Sequence, residues 1–132
     1  MRYRFELVEI EKLREHESTT PQMIEECLDL IKEMGGVDLP ILVEENDYII
    51  LDGHHRFKAL QALGCKRAPA YLVDYASDEI EVGLWPGAAI ASITKEDVIR
   101  MGLSGELYPT KTTRHQLKHP LPKRFVPLSE MF

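Results

Sequence analysis

The feature that most restricts this chain is the run Tyr48-Ile49-Ile50-Leu51-Asp52-Gly53-His54-His55-Arg56-Phe57. Tyr48 to Leu51 is β-rich, Asp52-Gly53 breaks the strand, and Phe57, Leu60 and Leu63 then recur at helical spacing until Gly64. A strand that feeds a helix directly through a glycine leaves little choice but a mixed α/β fold. It also makes an anion site. The glycine lets backbone come close to a ligand, and the helix start offers unpaired N–H groups at the positive end of its dipole. His54, His55 and Arg56 add side-chain donors, and Arg56 can grip a phosphate through two parallel bonds. Asp52 puts a carboxylate where phosphate would land, which is explained either by a divalent cation between them or by capping of the helix.

The rest of the chain supplies elements to surround that junction. Tyr3, Phe5 and Leu7 alternate as in a strand, and Glu11 to Ser18 reads as a charged loop. Thr20-Pro21 starts a helix with Ile24, Cys27, Leu28, Ile31 and Met34 on one face and Gly35-Gly36 at its end. Leu39–Val43 and Tyr48–Leu51 form a hairpin across a polar turn. Ala68–Val73 and Ile80–Trp85 are further strands. Thr94 and Asp97 are placed as a capping-box variant for a helix that runs to Met101 and stops at Gly102. Prolines 109, 120, 122 and 127 predict that residues 109–132 are extended and draped over the domain.

At 132 residues the chain suits one compact domain. Neither cysteine has a metal-ligand or disulfide partner by spacing, so both read as small reduced hydrophobes. No apolar run is long enough for a membrane helix, and charges fill the first twenty residues where a secretory signal would be apolar, so a cytoplasmic location is the expectation. The net charge of −6 argues against general coating of nucleic acid. Residues 109–128 run against that charge, with Lys111, Arg114, Lys118, Lys123 and Arg124 and no acid. They form either a solvated tail or a local anion site.

The sequence Leu51-Asp52-Gly53-His54-His55-Arg56-Phe57-Lys58-Ala59-Leu60, with the preceding helix and the Pro40-Ile41-Leu42-Val43 strand, resembles the ParB/sulfiredoxin superfamily over about residues 1–75. The resemblance implies an α/β (α+β) fold, a small mixed sheet with helices packed on it. Sulfiredoxins carry a cysteine where His54 stands, so their chemistry is excluded. Chromosome-partitioning ParB proteins carry a Gly-Glu-Arg-Arg type sequence and a helix-turn-helix domain for which this chain has no room. The Asp-Gly-His-His-Arg form is similar to the archaeal free serine kinases, which use ADP. Thr112-Thr113-Arg114-His115 resembles their second phosphate motif, and Val82-Gly83-Leu84-Trp85 the segment whose tryptophan lines the serine pocket.

That resemblance implies phosphoryl transfer from ADP or ATP to L-serine, with Mg²⁺ as cofactor. It assigns Glu17 as the general base, with Glu15 as the alternative register, beside Asp52 and His55 in the catalytic set. Asp52 would also hold Mg²⁺. Gly53, His54, His55, Arg56, Thr113, Arg114 and His115 would bind the nucleotide phosphates, and Trp85 the serine. Residues 1–108 would then be the nucleotide-binding domain and residues 109–132 a basic arm completing its site. The alternatives are a non-catalytic nucleotide-binding switch, a DNA-partitioning relative and a nuclease; the acidic total charge argues against the last.

Overall fold

The computed structural model describes all 132 residues. Its centre is a four-stranded sheet in the order β1-β5-β3-β4, where β1 is Tyr3–Glu9, β3 Ile41–Glu44, β4 Ile50–Asp52 and β5 Arg67–Val73. The two middle strands, β3 and β5, run parallel, and each outer strand is antiparallel to its neighbour. The expected hairpin is therefore present as β3–β4, with a register shift between Leu42 and Val43. The expected small mixed sheet with helices packed on it is the fold observed.

Strand alternation sorts the side chains into two cores. Ile41, Val43, Ile50, Ala68, Ala70 and Leu72 face one side and pack with Ile31 of helix α1 (Pro21–Met34) and with Phe57 and Leu60 of helix α2 (His54–Ala62). Leu42, Leu51, Tyr71 and Val73 face the other, against Ile80 of β6 (Ile80–Leu84) and Val98 of helix α3 (Lys95–Ser104). Because the side-chain period of a strand is two, both faces of the middle strands are apolar, as expected where a sheet is covered on both sides.

Helix α1 begins and ends where the sequence requires. Thr20 accepts the Met23 N–H at 3.4 Å, Pro21 takes the first turn, and Gly35 caps the end at φ 74°. Helix α3 has its full capping box between Thr94 and Asp97 but runs on through Gly102 to Ser104, contrary to the expected stop. Gly102 is a close-approach position: a Cβ there would lie 2.8 Å from Ile49, and Gly105, at φ 79°, is the residue that ends the helix.

The C-terminal segment departs furthest from expectation. Residues Thr113–Leu117 form a strand, β7, antiparallel to β6, with Thr113 opposite Leu84 and Leu117 opposite Ile80. Two short strands, β2 (Gly36–Val37) and β8 (Val126–Pro127), then pair with each other. Val126 and Met131 are buried in the first core. The segment is thus built into the domain, which rules out the solvated tail. No helix is long and apolar enough to cross a membrane.

Candidate active site

Gly53 stands between β4 and α2 at φ 110°, where L side chains rarely go. A Cβ on it would lie 2.5 Å from Ile41 Cγ2 and 2.8 Å from Arg56 Nη2, so glycine is required both by the turn and by the close Ile41 side chain. The free N–H groups of the α2 start open into a cavity of about 470 Å³.

Four parts of the chain line that cavity. Asp52 to Arg56 form the junction, Glu17 comes from the loop before α1, Trp85 follows β6, and Thr113, Arg114 and His115 come from β7. Glu17, Trp85, the junction residues Asp52 to Arg56 and Thr113 to His115 therefore meet in one place, with Lys111, Met23 and Cys27 beside them, whereas Lys118, Lys123 and Arg124 of the basic stretch lie elsewhere. Glu15 is not on the cavity; its carboxylate pairs with Lys58 at 3.1 Å. Among the five acids and cations of the wall, Arg56, Lys111 and Arg114 outnumber Glu17 and Asp52, so the site is locally cationic in an acidic protein.

The guanidinium cations on the wall are unpaired. Arg56 makes no salt bridge, and its Nε is buried without a partner, an arrangement that costs free energy unless an anion completes it. Arg114 makes none either and lies over the Trp85 ring, 4.6 Å from its centroid, which restrains the guanidinium at the cavity mouth. Asp52 is exposed and likewise forms no salt bridge, although Arg56 follows it by four residues. The protein has no cluster of three His, Cys, Asp or Glu side chains able to hold a metal ion. A single free carboxylate beside a phosphate cradle does fit Mg²⁺, which is commonly bound by one or two carboxylates together with substrate phosphates.

Glu17 is fixed more tightly than a loop acid should be. Its Oε1 accepts the Thr112 N–H at 3.0 Å and the Thr113 N–H at 2.8 Å and lies 3.1 Å from Thr113 Oγ1. The loop itself is stitched to the C-terminal segment, since Ser18 N–H donates to the Tyr108 carbonyl and Tyr108 N–H to that of His16, each at 2.8 Å. This clamp leaves Glu17 on the cavity wall with one carboxylate oxygen committed and the other available.

Behind Glu17 lies a group of imidazoles of which only the outer members were singled out from sequence. His16 is fully buried, and its ring stands 4.6 Å from that of His54 and 6.0 Å from that of His115. Burial pulls the pKa of His16 down to about 4 and that of His115 to about 3, and holds His54 well below the ordinary imidazole range; His55 is also lowered by burial. All are therefore neutral near pH 7. His54 Nε2 accepts the His16 N–H and His55 Nε2 the Thr20 N–H, each at 3.2 Å, and His115 Nε2 lies 2.7 Å from the Tyr75 hydroxyl. His54 and His55 thus have a ring nitrogen engaged within the protein, while their backbone N–H groups stand at the helix start. His16 was missed because it lies within Arg14-Glu15-His16-Glu17, whose charges read as solvent-exposed.

A second, more apolar cleft of about 290 Å³ adjoins the first and shares Asp52, Arg56 and His115 with it. Its other walls include Leu39, Pro40, Leu117 and Leu121.

Residues 4–85 match the ParB N-terminal domain family. An ATP-dependent L-serine kinase of Staphylothermus marinus is 34% identical over 103 residues, covering 74% of this chain and 41% of that protein. An ADP-dependent L-serine kinase of Thermococcus kodakarensis is 37% identical over 82 residues, covering 59% of this chain and 34% of that protein. The chain thus spans less than half the length of these curated relatives. A solved structure of a free serine kinase in complex with AMP superposes with a TM-score of 0.86 at 24% identity, over 98% of this chain and 93% of the other. At that identity the superposition establishes the shared fold.

Proposed function

The chain belongs to the ParB N-terminal domain family, and on that premise we propose that it is a kinase that transfers a phosphoryl group from ATP or ADP to free L-serine. The observation that carries the reading is that Glu17, a clamped carboxylate, faces the same cavity as three unpaired cations and a helix N-terminus. Phosphoryl transfer to a hydroxyl needs a base, and Glu17 is a second carboxylate on the cavity beyond Asp52, the one that would serve Mg²⁺.

In this reading the backbone N–H groups at His54 and His55 and the guanidinium of Arg56 hold the phosphates. Arg114, Lys111 and the Thr113–His115 strand approach them from the opposite wall. The adjoining apolar cleft takes the adenine, since it shares Arg56 with the phosphate site. Glu17 accepts the proton of the serine hydroxyl as its oxygen attacks the terminal phosphorus, the bridging P–O bond breaks, and the shortened nucleotide (ADP from ATP, AMP from ADP) leaves with the bond's electron pair; Trp85 bounds the space left for the amino acid. Asp52 would hold Mg²⁺, which when bound would supply neutralisation of phosphate charge. His55, engaged by the Thr20 N–H, orients the first turn of α2. Residues 1–108 form the nucleotide-binding domain, and residues 109–132 complete its site. The partners needed are a nucleotide and serine rather than nucleic acid, and both are met in the cytoplasm.

Relatives are named both for ATP and for ADP, so the test must offer both donors. The protein is incubated with Mg²⁺, isotopically labelled serine and each nucleotide in turn, and phosphoserine is sought by mass spectrometry. Labelled phosphoserine with either donor is the expected result. Nucleotide binding with no phosphorylated product would replace the kinase with a nucleotide-binding switch.

A further inference from the structure

The hydrogen bonds around His16 leave one arrangement of protons. Its Nδ1 is 2.7 Å from the Ile50 carbonyl, which can only accept, so Nδ1 carries the proton. A neutral imidazole has no second proton, so Nε2 is an acceptor, and its partner at 2.8 Å is the hydroxyl of Thr113. Thr113 has a single hydroxyl proton, and two acceptors compete for it: His16 Nε2, and Glu17 Oε1 at 3.1 Å. The shorter contact and the imidazole's lack of any other donor assign the proton to His16.

We propose that His16 is a positioning residue that turns the Thr113 hydroxyl proton away from Glu17, so that this carboxylate accepts two backbone N–H groups rather than three donors. The consequence rests on the kinase reading only where it concerns catalysis. Each donor to a carboxylate stabilises its charged form and weakens it as a base, so withholding the hydroxyl keeps Glu17 more basic toward a serine proton. The alternative, a charged His16 donating to Thr113 while Thr113 donates to Glu17, requires an imidazolium in a fully buried pocket. The rings facing it are those of His54, His115 and Tyr108, none of which supplies a counter-charge, and burial holds its pKa near 4. Around Glu17 the other charged groups on the cavity are Asp52, Arg56, Lys111 and Arg114, and the titratable imidazoles there are His54, His115 and His55, the last coupled to the Glu17 charge. They are common to all the variants below and cancel in the comparison.

The assignment is testable in the unaltered protein by ¹⁵N NMR of the His16 ring at pH 7. Nδ1 should be protonated and Nε2 bare; a proton on Nε2 overturns the proposal. The effect on Glu17 is read from the carboxyl ¹³C signal in a pH titration without nucleotide. His16→Asn keeps an amide able to donate to Ile50 and removes the acceptor for Thr113, so the Glu17 midpoint should fall by roughly half a pH unit or more. His16→Gln, whose carbonyl can still accept from Thr113, should stay close to wild type. In the double variant His16→Asn with Thr113→Val there is no hydroxyl to turn, and the midpoint should return to that of Thr113→Val alone. An unmoved midpoint in folded His16→Asn, or a double variant still displaced, refutes the idea. A purely structural role for His16 would give no such reversal.

The two readings fail separately. If the protein never phosphorylates serine, the NMR results still decide the proton assignment. If it does, the acidic limb of its pH–rate profile should move with the carboxyl midpoint in His16→Asn, and a limb that stays in place while the midpoint moves would remove Glu17 as the base.

Discussion

Lowering the pH from 7.5 to 5.5 should destabilise this protein through its buried imidazoles before its carboxylates matter. His16 and His54 are buried and neutral, with pKa values pushed to about 4 and well below the ordinary value of 6.5. The unfolded chain therefore binds protons that the folded chain refuses. For a group whose folded pKa is depressed in this way, stability rises with pH across the interval between the two values, so it is lost as pH falls from about 6.5 toward 4. At 1.36 kcal/mol per pKa unit, His16 should contribute a loss of about 1.4 kcal/mol between pH 7.5 and 5.5, and His54, held well below its ordinary value by burial, adds a loss in the same direction. His115 adds to this in the same direction, by less than a full share because part of its side chain borders the open cavity. Against a typical total of about 5–15 kcal/mol this is a large fraction. Urea unfolding followed by circular dichroism at pH 7.5, 6.5 and 5.5 reads it directly. A free energy of unfolding that is flat to within about 1 kcal/mol over this range would mean that the imidazoles are charged or hydrated in the folded state, and the proton assignment at His16 would fall with it.

Other outcomes follow from the same geometry. Arg56→Ala should weaken ATP or ADP binding at least tenfold by calorimetry, about 1.4 kcal/mol, because it removes the one guanidinium whose buried Nε lacks a partner; unchanged affinity would take Arg56 out of the site. Gly102→Ala should destabilise by about 1–3 kcal/mol in urea melts, since the new methyl meets the buried Ile49 side chain; a neutral result would mean that helix α3 can shift outward. Trp85→Ala should raise the KM for serine while leaving nucleotide affinity within a few-fold, and the reverse pattern would assign the indole to the nucleotide through Arg114.

The strand–glycine–helix junction was legible from sequence because its signals are local: a β-rich run, Asp52-Gly53, then helical spacing through Phe57 and Leu60. The capped helices follow from equally local chemistry, whereas the mixed sheet was implied by the family resemblance, since its pairings join strands far apart in the chain. What could not be read depends on partners far along the chain. Thr113-Arg114-His115-Gln116-Leu117 was recognisable as a motif but not as a strand, because its pairing partner, β6, lies some thirty residues earlier and its own composition is polar. Its alternation is visible only afterwards, in exposed Arg114 and Gln116 standing between buried Thr113 and half-buried His115 and Leu117. His16 is buried by bridges that join Arg14 to Ile49 and Glu17 to Tyr108, and no local property of that charged loop encodes either contact. Gly102 looked like a helix stop because an open C-cap and a close approach to Ile49 use the same residue. The choice between Glu15 and Glu17 as the cavity acid likewise turned on Lys58, which takes Glu15 away from the cavity.

The most direct test of the central claim compares Glu17→Gln with the wild type for both turnover and binding. The amide keeps a carbonyl oxygen to accept the Thr112 and Thr113 N–H groups, so the clamp that holds the loop to β7 can persist while the base is removed. Phosphoserine formation should fall by a hundredfold or more, as expected for loss of a general base. Affinity for ATP or ADP should be equal or slightly tighter, because a negative charge near the phosphates has gone. Phosphoserine produced by folded Glu17→Gln at the wild-type rate would contradict the account.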